Sequence, residues 1–243
     1  MIVLSVGMPR AGSGWHYNLI HDLMGTTGCP EAREIRKRYH LEGVLTEVNC
    51  NIGVLSLRRL AMVLIPALMG NTFVIKAHAG PTSWVRLLTC TGMIHATYIY
   101  RDPRDAMLSA YDYGRRAIAK GRPNAFSHLV DIKTTLNFMM EYVHIWEAWM
   151  KYKDVLHARY EDLLTNYDIE VTRLINFLKL DPADIKVQAI VAKYRPGKTE
   201  DGQQGLHFFK GKIGRFREKY SSEEQTFINE QLSPYLKRMG YDP

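Results

Sequence analysis

The sequence predicts an α/β protein, a three-layer P-loop-like fold in which a central parallel β-sheet is flanked by helices. Short apolar runs alternate with longer helical patterns along the chain, which is how βαβ units and parallel strands read. The first apolar run passes at once into a glycine-rich turn and a helix. With 243 residues, the chain is long enough to bury a sheet covered on both faces.

Ile2–Val6 reads as a buried strand, and the loop from Gly7 leads into a helix from about Gly14 to Met24. Thr72–Lys76 (TFVIK), His95–Tyr100 (HATYIY) and Val155–Tyr160 (VLHARY) read as further strands. Helical patterns lie near Val54–Met69, Pro103–Lys120, Ile132–Lys151 and Ile169–Leu178. A last helix, about Ser222–Met239, starts at Ser221 or Ser222, with Glu224 placed for a capping box. Within Ile132–Lys151, Leu136, Met139, Met140, Val143, Trp146 and Met150 recur at three- and four-residue spacing, the stripe of a helix packed on a core. His144 on that helix has no evident ligand partner. Pro196–Gly205 is rich in glycine and polar residues and reads as a mobile loop. No repeat, low-complexity tract or linker divides the chain, so residues 1–243 are expected to form one domain.

Lys and Arg number 32 against 25 Asp and Glu, a net charge of +7. Such a surplus favours anionic partners, whether nucleotides, nucleic acid or acidic polysaccharide. The cysteines are Cys29, Cys50 and Cys90; their odd number and wide spacing argue against a disulfide framework or a zinc site. Met1–Gly7 is too short for a signal-peptide core. Arg58, Arg59 and Pro66 interrupt the most apolar stretch, Ile52–Met69, which therefore reads as a core helix rather than a membrane span. The expectation is a cytoplasmic protein with reduced thiols and no membrane association.

Chemistry concentrates at strand ends. Gly7–Trp15 (GMPRAGSGW) follows a strand and opens a helix, so its glycines let the backbone approach an anion while free N–H groups at the helix start point at it. Gly7 and Gly12 have P-loop spacing, yet Ser13 and Gly14 stand where the Walker motif requires Lys then Ser or Thr; the basic residue sits inside the loop, as Arg10. Lys76 and His78 lie at the end of the second strand, where parallel sheets present active sites. The third strand delivers Arg101 to the mouth of a helix. There Asp102 can act as N-cap, Pro103 fits the first helical position, and Asp105 can complete a reciprocal cap. An arginine fork suits a phosphate dianion, and Arg104 reads as structural or as a surface charge. Tyr160-Glu161-Asp162 ends the fourth strand, and Phe208–Arg217 carries Lys210, Gly211 and Gly214.

Taken in order, these segments resemble the motifs of the soluble, PAPS-dependent sulfotransferases, where PAPS is 3′-phosphoadenosine 5′-phosphosulfate. Pro9–Trp15 is similar to the 5′-phosphosulfate loop PKSGTTW, with Arg10 at the lysine and Gly14 at a threonine. Lys76-Ala77-His78 looks like the K-T-H signature. Arg101–Tyr111 resembles the 3′-phosphate motif R-N/D-P-R/K-D-x-x-x-S-x-Y. Tyr160–Leu163 looks like Y-E-D-L/M, and Lys210–Gly214 resembles the late K-G-x-x-G segment, with Phe209 replacing its arginine.

The resemblance implies sulfuryl transfer from PAPS to a hydroxyl or amine of a small-molecule or saccharide acceptor, releasing 3′,5′-ADP without a metal. It assigns His78 as general base, Lys76 and Arg10 as charge stabilisers, and Arg10, Ala11, Gly12, Ser13, Gly14, Trp15, Arg101, Ser109, Tyr160, Lys210 and Gly211 as donor contacts. Adenine contacts between 165 and 207 match no motif, with Lys193-Tyr194 the nearest candidate. By analogy with the fold, Cys29–Leu60, Thr82–Leu88 and Arg115–His128 line the acceptor pocket; a homodimer is compatible with this reading.

Two other readings stay open at this point. A P-loop small-molecule kinase would need a Walker lysine and a magnesium-binding aspartate. A non-catalytic nucleotide- or polyanion-binding protein would use the positive charge, with the run Arg33–Arg38 as its best patch. Basic residues are scattered rather than interleaved with aromatics along one run, so nucleic acid is not expected as a partner.

Overall fold

A computed structural model describes residues 1–197 and 212–242. Four strands, β1 (Ile2–Gly7), β2 (Phe73–Ala77), β3 (Ile94–Tyr100) and β4 (Leu156–Arg159), form one parallel sheet in the order β2-β1-β3-β4. Each strand expected from the sequence is present, with boundaries shifted by a residue or two. The largest difference in kind is Tyr160, which opens a helix instead of closing the last strand.

The described helices are α1 (Ser13–Gly25), α2 (Ala32–Arg38), α3 (Leu57–Leu68), α4 (Ser83–Cys90), α5 (Pro103–Ala119) and α6 (Ile132–Trp149). They continue with α7 (Tyr160–Thr165), α8 (Tyr167–Phe177), α9 (Ile185–Tyr194), α10 (Phe216–Lys219) and α11 (Ser222–Met239). The short α2, α4, α7 and α10 and the longer α9 were not anticipated. Ser221 and Glu224 form the expected capping box of α11. Most of the predicted loop Pro196–Gly205 lies outside the described residues.

β1 and β2 are buried along their whole length because helices cover both faces. On one face Ile2, Leu4, Val6, Phe73 and Ile75 pack with α3, α6 and α11. The expected α6 stripe joins this core through Leu136, Met139, Val143 and Trp146, with Met140 and Met150 partly buried against it. On the other face Val3, Val74 and Ile99 pack with α1, α8 and α9. His144 hydrogen-bonds Tyr235 of α11 over 3.1 Å, a contact between two helices rather than a ligand site.

Successive crossovers leave β1 in opposite directions, so the order reverses between β1 and β3. In open parallel sheets such a switch point opens a crevice at the carboxyl ends of the strands. The loop after β1 and the residues after β3 line it.

Candidate active site

The loop after β1 is tied down at its start by Met8 N–H donating to the Ile99 carbonyl over 2.9 Å. Arg10 (φ 64) and Gly12 (φ 75) both take left-handed backbone conformations, which turn the chain sharply into α1. At Gly12 a Cβ would stand 2.5 Å from Tyr160 Cδ2, so glycine is required by contact as well as by φ. No side chain caps α1, and the N–H groups of Ser13 and Gly14 make no hydrogen bond within the described residues. Free donors at a helix start are the kind of site that suits an anion.

A cavity of about 320 Å³ opens over this loop. Arg10, Gly12, Ser13, Gly14, Trp15, Lys76, His78, Arg101, Ser109 and Tyr160, all named from the sequence, line it together. Ala11 lies within the same loop but is fully buried and does not line the cavity. Lys210 and Gly211 lie outside the described residues. Lys212 and Arg215, just beyond them, also line the cavity, which contains no described Asp or Glu.

Lys76 is buried on β2, paired in register with Ser5 of β1, and has no carboxylate partner among the described residues. Burial, and then the nearby Arg10, lower its pKa to about 8. Beside Ser5, the buried His16 of α1 approaches Ser5 Oγ through Nδ1 at 3.4 Å. Burial, reinforced by Lys76, holds the His16 pKa down at about 3, so it is neutral. His78 follows the strand, and its Nδ1 donates to the Gly7 carbonyl oxygen over 2.6 Å. A carbonyl only accepts, so Nδ1 carries the proton and Nε2 presents the lone pair. Burial and the Lys76 charge bring the His78 pKa to about 4, against a smaller opposing effect of the Gly7 bond.

Arg10 Nε donates to Ser109 Oγ over 3.2 Å, and its guanidinium lies 4.4 Å from the Tyr113 ring centroid. Burial lowers the Arg10 pKa, with Arg116 and Arg101 adding to the effect. Arg101 stacks 4.5 Å over the Tyr160 ring and donates from Nη2 to Asp105 Oδ2 (3.1 Å) and to the Lys212 carbonyl (2.8 Å). Its Nε is buried without a hydrogen-bond partner. An orphaned guanidinium N–H is costly unless a ligand satisfies it.

Asp102 caps α5 by accepting from Arg104 N, as expected. The reciprocal half of that cap is not made by Asp105. Glu161 Oε1 accepts from Asp102 N at 3.2 Å, while the Asp105 carboxylate accepts from Gly214 N (2.7 Å) and Phe216 N (3.1 Å). A helix start packed against a late chain segment offers donors better placed than its own cap. Arg104 is structural, being buried and bonded to Asp102, Asn229 and the Asp242 carbonyl.

The expected adenine-side pair Lys193-Tyr194 does not line the cavity. Lys193 Nζ and Tyr194 Oη both donate to Asp22 Oδ2, at 2.6 and 2.7 Å. The Tyr194 carbonyl instead accepts from Trp15 Nε1 over 3.3 Å, and Trp15 stacks on Tyr167. Of the segments expected to line an acceptor pocket, Val48, Asn49 and Phe126 reach the cavity and Thr82–Leu88 do not. Tyr113, which sequence reasoning missed, joins Phe126 in an edge-on aromatic wall with centroids 5.7 Å apart. A tyrosine within an amphipathic helix carries no signal that separates this role from core packing.

A cavity at a switch point with no carboxylate among the described residues, a glycine-rich helix start and convergent Arg and Lys, in an α/β fold, has the chemistry that suits a phosphorylated polyanion. A family model described as the sulfotransferase domain matches residues 76–233, and the chain belongs to that family. Cytosolic sulfotransferase 1 of Danio rerio is 24% identical over an alignment of 158 residues that covers 58% of this chain and 53% of that protein. The chain thus spans about half the length of that relative.

Among solved structures, retinol dehydratase in complex with androsterone and inactive cofactor PAP has a TM-score of 0.62 at 18% identity, covering 97% of this chain and 80% of that one. Mouse sulfotransferase SULT7A1 complexed with PAP has a TM-score of 0.60 at 13% identity, covering 97% and 83%. These likenesses show the fold, including the parallel sheet with helices on both faces.

Proposed function

We propose that residues 1–243 act as a single sulfotransferase domain that transfers a sulfuryl group from PAPS to a hydroxyl or amine of a small-molecule or saccharide acceptor. The observation that carries this reading is the convergence of Arg10, Gly12, Ser13, Gly14, Lys76, His78, Arg101 and Ser109 on one cavity with no carboxylate among the described residues. The donor fits the residues present: among the described residues a buried guanidinium Nε lacks a hydrogen-bond partner, and two helix-start N–H groups make no hydrogen bond. The family-model match and the zebrafish relative support the class of reaction. The name of that relative also supports placing the chain in the cytosol. No described helix is long and apolar enough to cross a membrane.

When bound, PAPS supplies the sulfuryl group and leaves as 3′,5′-ADP. Arg10 and the N–H groups of Ser13 and Gly14 hold the 5′-phosphosulfate end, Arg101 and Ser109 the 3′-phosphate, and Trp15 and Tyr160 flank the adenosine. Lys210 and Gly211 are included on the family resemblance alone. The proton of the acceptor passes to His78 Nε2, the one ring nitrogen not committed to Gly7. Lys76 and Arg10 stabilise the charge that gathers on the departing phosphate oxygen. No residue in this account requires a metal. A small-molecule acceptor is consistent with the androsterone and the retinol held by retinol dehydratase in its structures.

The test supplies PAPS with a panel of phenols, alcohols, amines and saccharides and follows 3′,5′-ADP release. Turnover with at least one acceptor, and tighter binding of 3′,5′-ADP than of 5′-AMP, is expected. Tight binding of magnesium-ATP without affinity for 3′,5′-ADP would replace this reading with a small-molecule kinase. Salt-sensitive oligonucleotide binding without affinity for PAPS would favour a polyanion-binding protein.

A further inference from the structure

Asp105 is almost wholly buried, at 1% exposure, yet it is not the cap its position in α5 suggests. Its Oδ2 accepts from Arg101 Nη2 at 3.1 Å and from Gly214 N at 2.7 Å, and its Oδ1 accepts from Phe216 N at 3.1 Å. One carboxylate therefore binds the end of β3, through Arg101, to residues 214–216, which lie more than a hundred positions later in the chain. The same Arg101 Nη2 donates to the Lys212 carbonyl at 2.8 Å, closing the link from the opposite side. Lys212 and Arg215, carried by that late segment, line the cavity. Arg215 is held by Asp112 of α5 at 2.8 Å.

We propose that Asp105 is a positioning residue for the 3′-phosphate grip of the donor, clasping residues 212–216 onto α5 and holding Arg101 with its Nε free for the ligand. This rests on the sulfotransferase reading of the site. The physical grounds are specific. A buried carboxylate accepting two backbone N–H groups and a guanidinium has both oxygens engaged, so it holds all three in one geometry. Fixing Nη2 on Asp105 and Lys212 also fixes the plane of the guanidinium, and with it the location of the unpartnered Nε. Without the carboxylate, Gly214 and Phe216 lose their acceptor, Lys212 is no longer clamped to the cavity wall, and Arg101 regains rotational freedom.

The experiment compares 3′,5′-ADP with 5′-AMP, which differ only in the 3′-phosphate, by titration against the full chain and the variant Asp105→Asn. The wild type is expected to prefer 3′,5′-ADP. In D105N that preference should shrink by roughly 10- to 100-fold, the range for losing a hydrogen bond to a charged group, while 5′-AMP affinity changes little. KM for PAPS should rise by a similar factor, with kcat at saturating donor much less affected. If D105N keeps the wild-type preference, or weakens both nucleotides equally, the positioning role is overturned. If the wild type shows no preference for the 3′-phosphate, the sulfotransferase reading itself fails, which is a separate outcome.

Should D105N not fold, amide exchange of the wild type reads the same coupling. 3′,5′-ADP is expected to protect Gly214 and Phe216 more than 5′-AMP does, and equal protection by the two nucleotides overturns the proposal.

Discussion

His78 donates through Nδ1 to the carbonyl oxygen of Gly7 over 2.6 Å, so the imidazole itself ties the end of β2 to the start of the anion loop. The bond sets the tautomer, and burial beside Lys76 keeps the ring neutral. A histidine held in this way can accept a proton only at Nε2. The depressed pKa also means that the ring is already unprotonated well below neutral pH.

Replacing His78 should separate positioning from proton transfer. His78→Ala is expected to lower kcat by about 10²- to 10⁴-fold, the usual contribution of a general base. His78→Asn can keep a donor near Gly7 and should preserve donor affinity while losing turnover equally. Full turnover in either variant would remove His78 from the role of base.

Lys76 should set the alkaline limb of the donor profile. Its pKa of about 8 belongs to the free protein, which kcat/KM reports, so kcat/KM for PAPS should fall as pH rises through about 8. The bound donor is polyanionic and favours the ammonium, so the corresponding limb in kcat should lie at higher pH. Lys76→Arg keeps a charge throughout and should abolish the limb near 8 in kcat/KM, whatever it does to the absolute rate.

Acid stability should depend on His16. Its pKa is lowered from the usual histidine range to about 3 by burial, so the unfolded chain binds a proton that the native chain refuses. Its contribution to stability is complete above about 6.5 and is lost as pH falls from there towards 3, at up to about 1.4 kcal/mol per pH unit. His78 adds a similar slope down to about 4. Denaturant unfolding of His16→Leu between pH 7 and 5 should show a shallower dependence than the wild type, and an unchanged slope would remove His16 as its source.

Gly12 should not tolerate alanine. The new Cβ would stand 2.5 Å from the Tyr160 ring at a backbone φ of 75°, so both the loop and Tyr160 must move. Gly12→Ala is expected to lower the melting temperature and to weaken 3′,5′-ADP binding by more than about tenfold, since strained positions of this kind cost on the order of 1–3 kcal/mol. Calorimetry and titration on the same preparation check both.

Much of this was legible in the sequence because it is local. Buried strands of a parallel sheet are continuous apolar runs, so Ile2–Val6, Thr72–Lys76 and His95–Tyr100 fall close to the observed β1, β2 and β3. Lys76, His78 and Arg101 sit at strand ends, where such sheets present chemistry, and the resemblance to the sulfotransferase motifs singled them out there. What escaped depends on distant pairing. Asp105 looks like a helix cap until Gly214 and Phe216 arrive, and Lys193-Tyr194 look like cavity residues until Asp22 takes both. Tyr113 and Phe126 form an aromatic wall only because α5 and residue 126 come together over Arg10.

The order β2-β1-β3-β4 has a consequence for how the molecule comes into being. β1 must pair with β2 and β3, whose residues follow it by roughly seventy and ninety positions, and β3 then waits for β4 near residue 156. Parallel pairings of such sequence separation close long loops and form slowly. A nascent chain on the ribosome therefore carries the anion loop long before Lys76, Arg101 or Tyr160 exist to complete it. A ligand of the cavity cannot template the early steps, and any help it gives to folding must come after synthesis has passed residue 160 and the fourth strand is laid down.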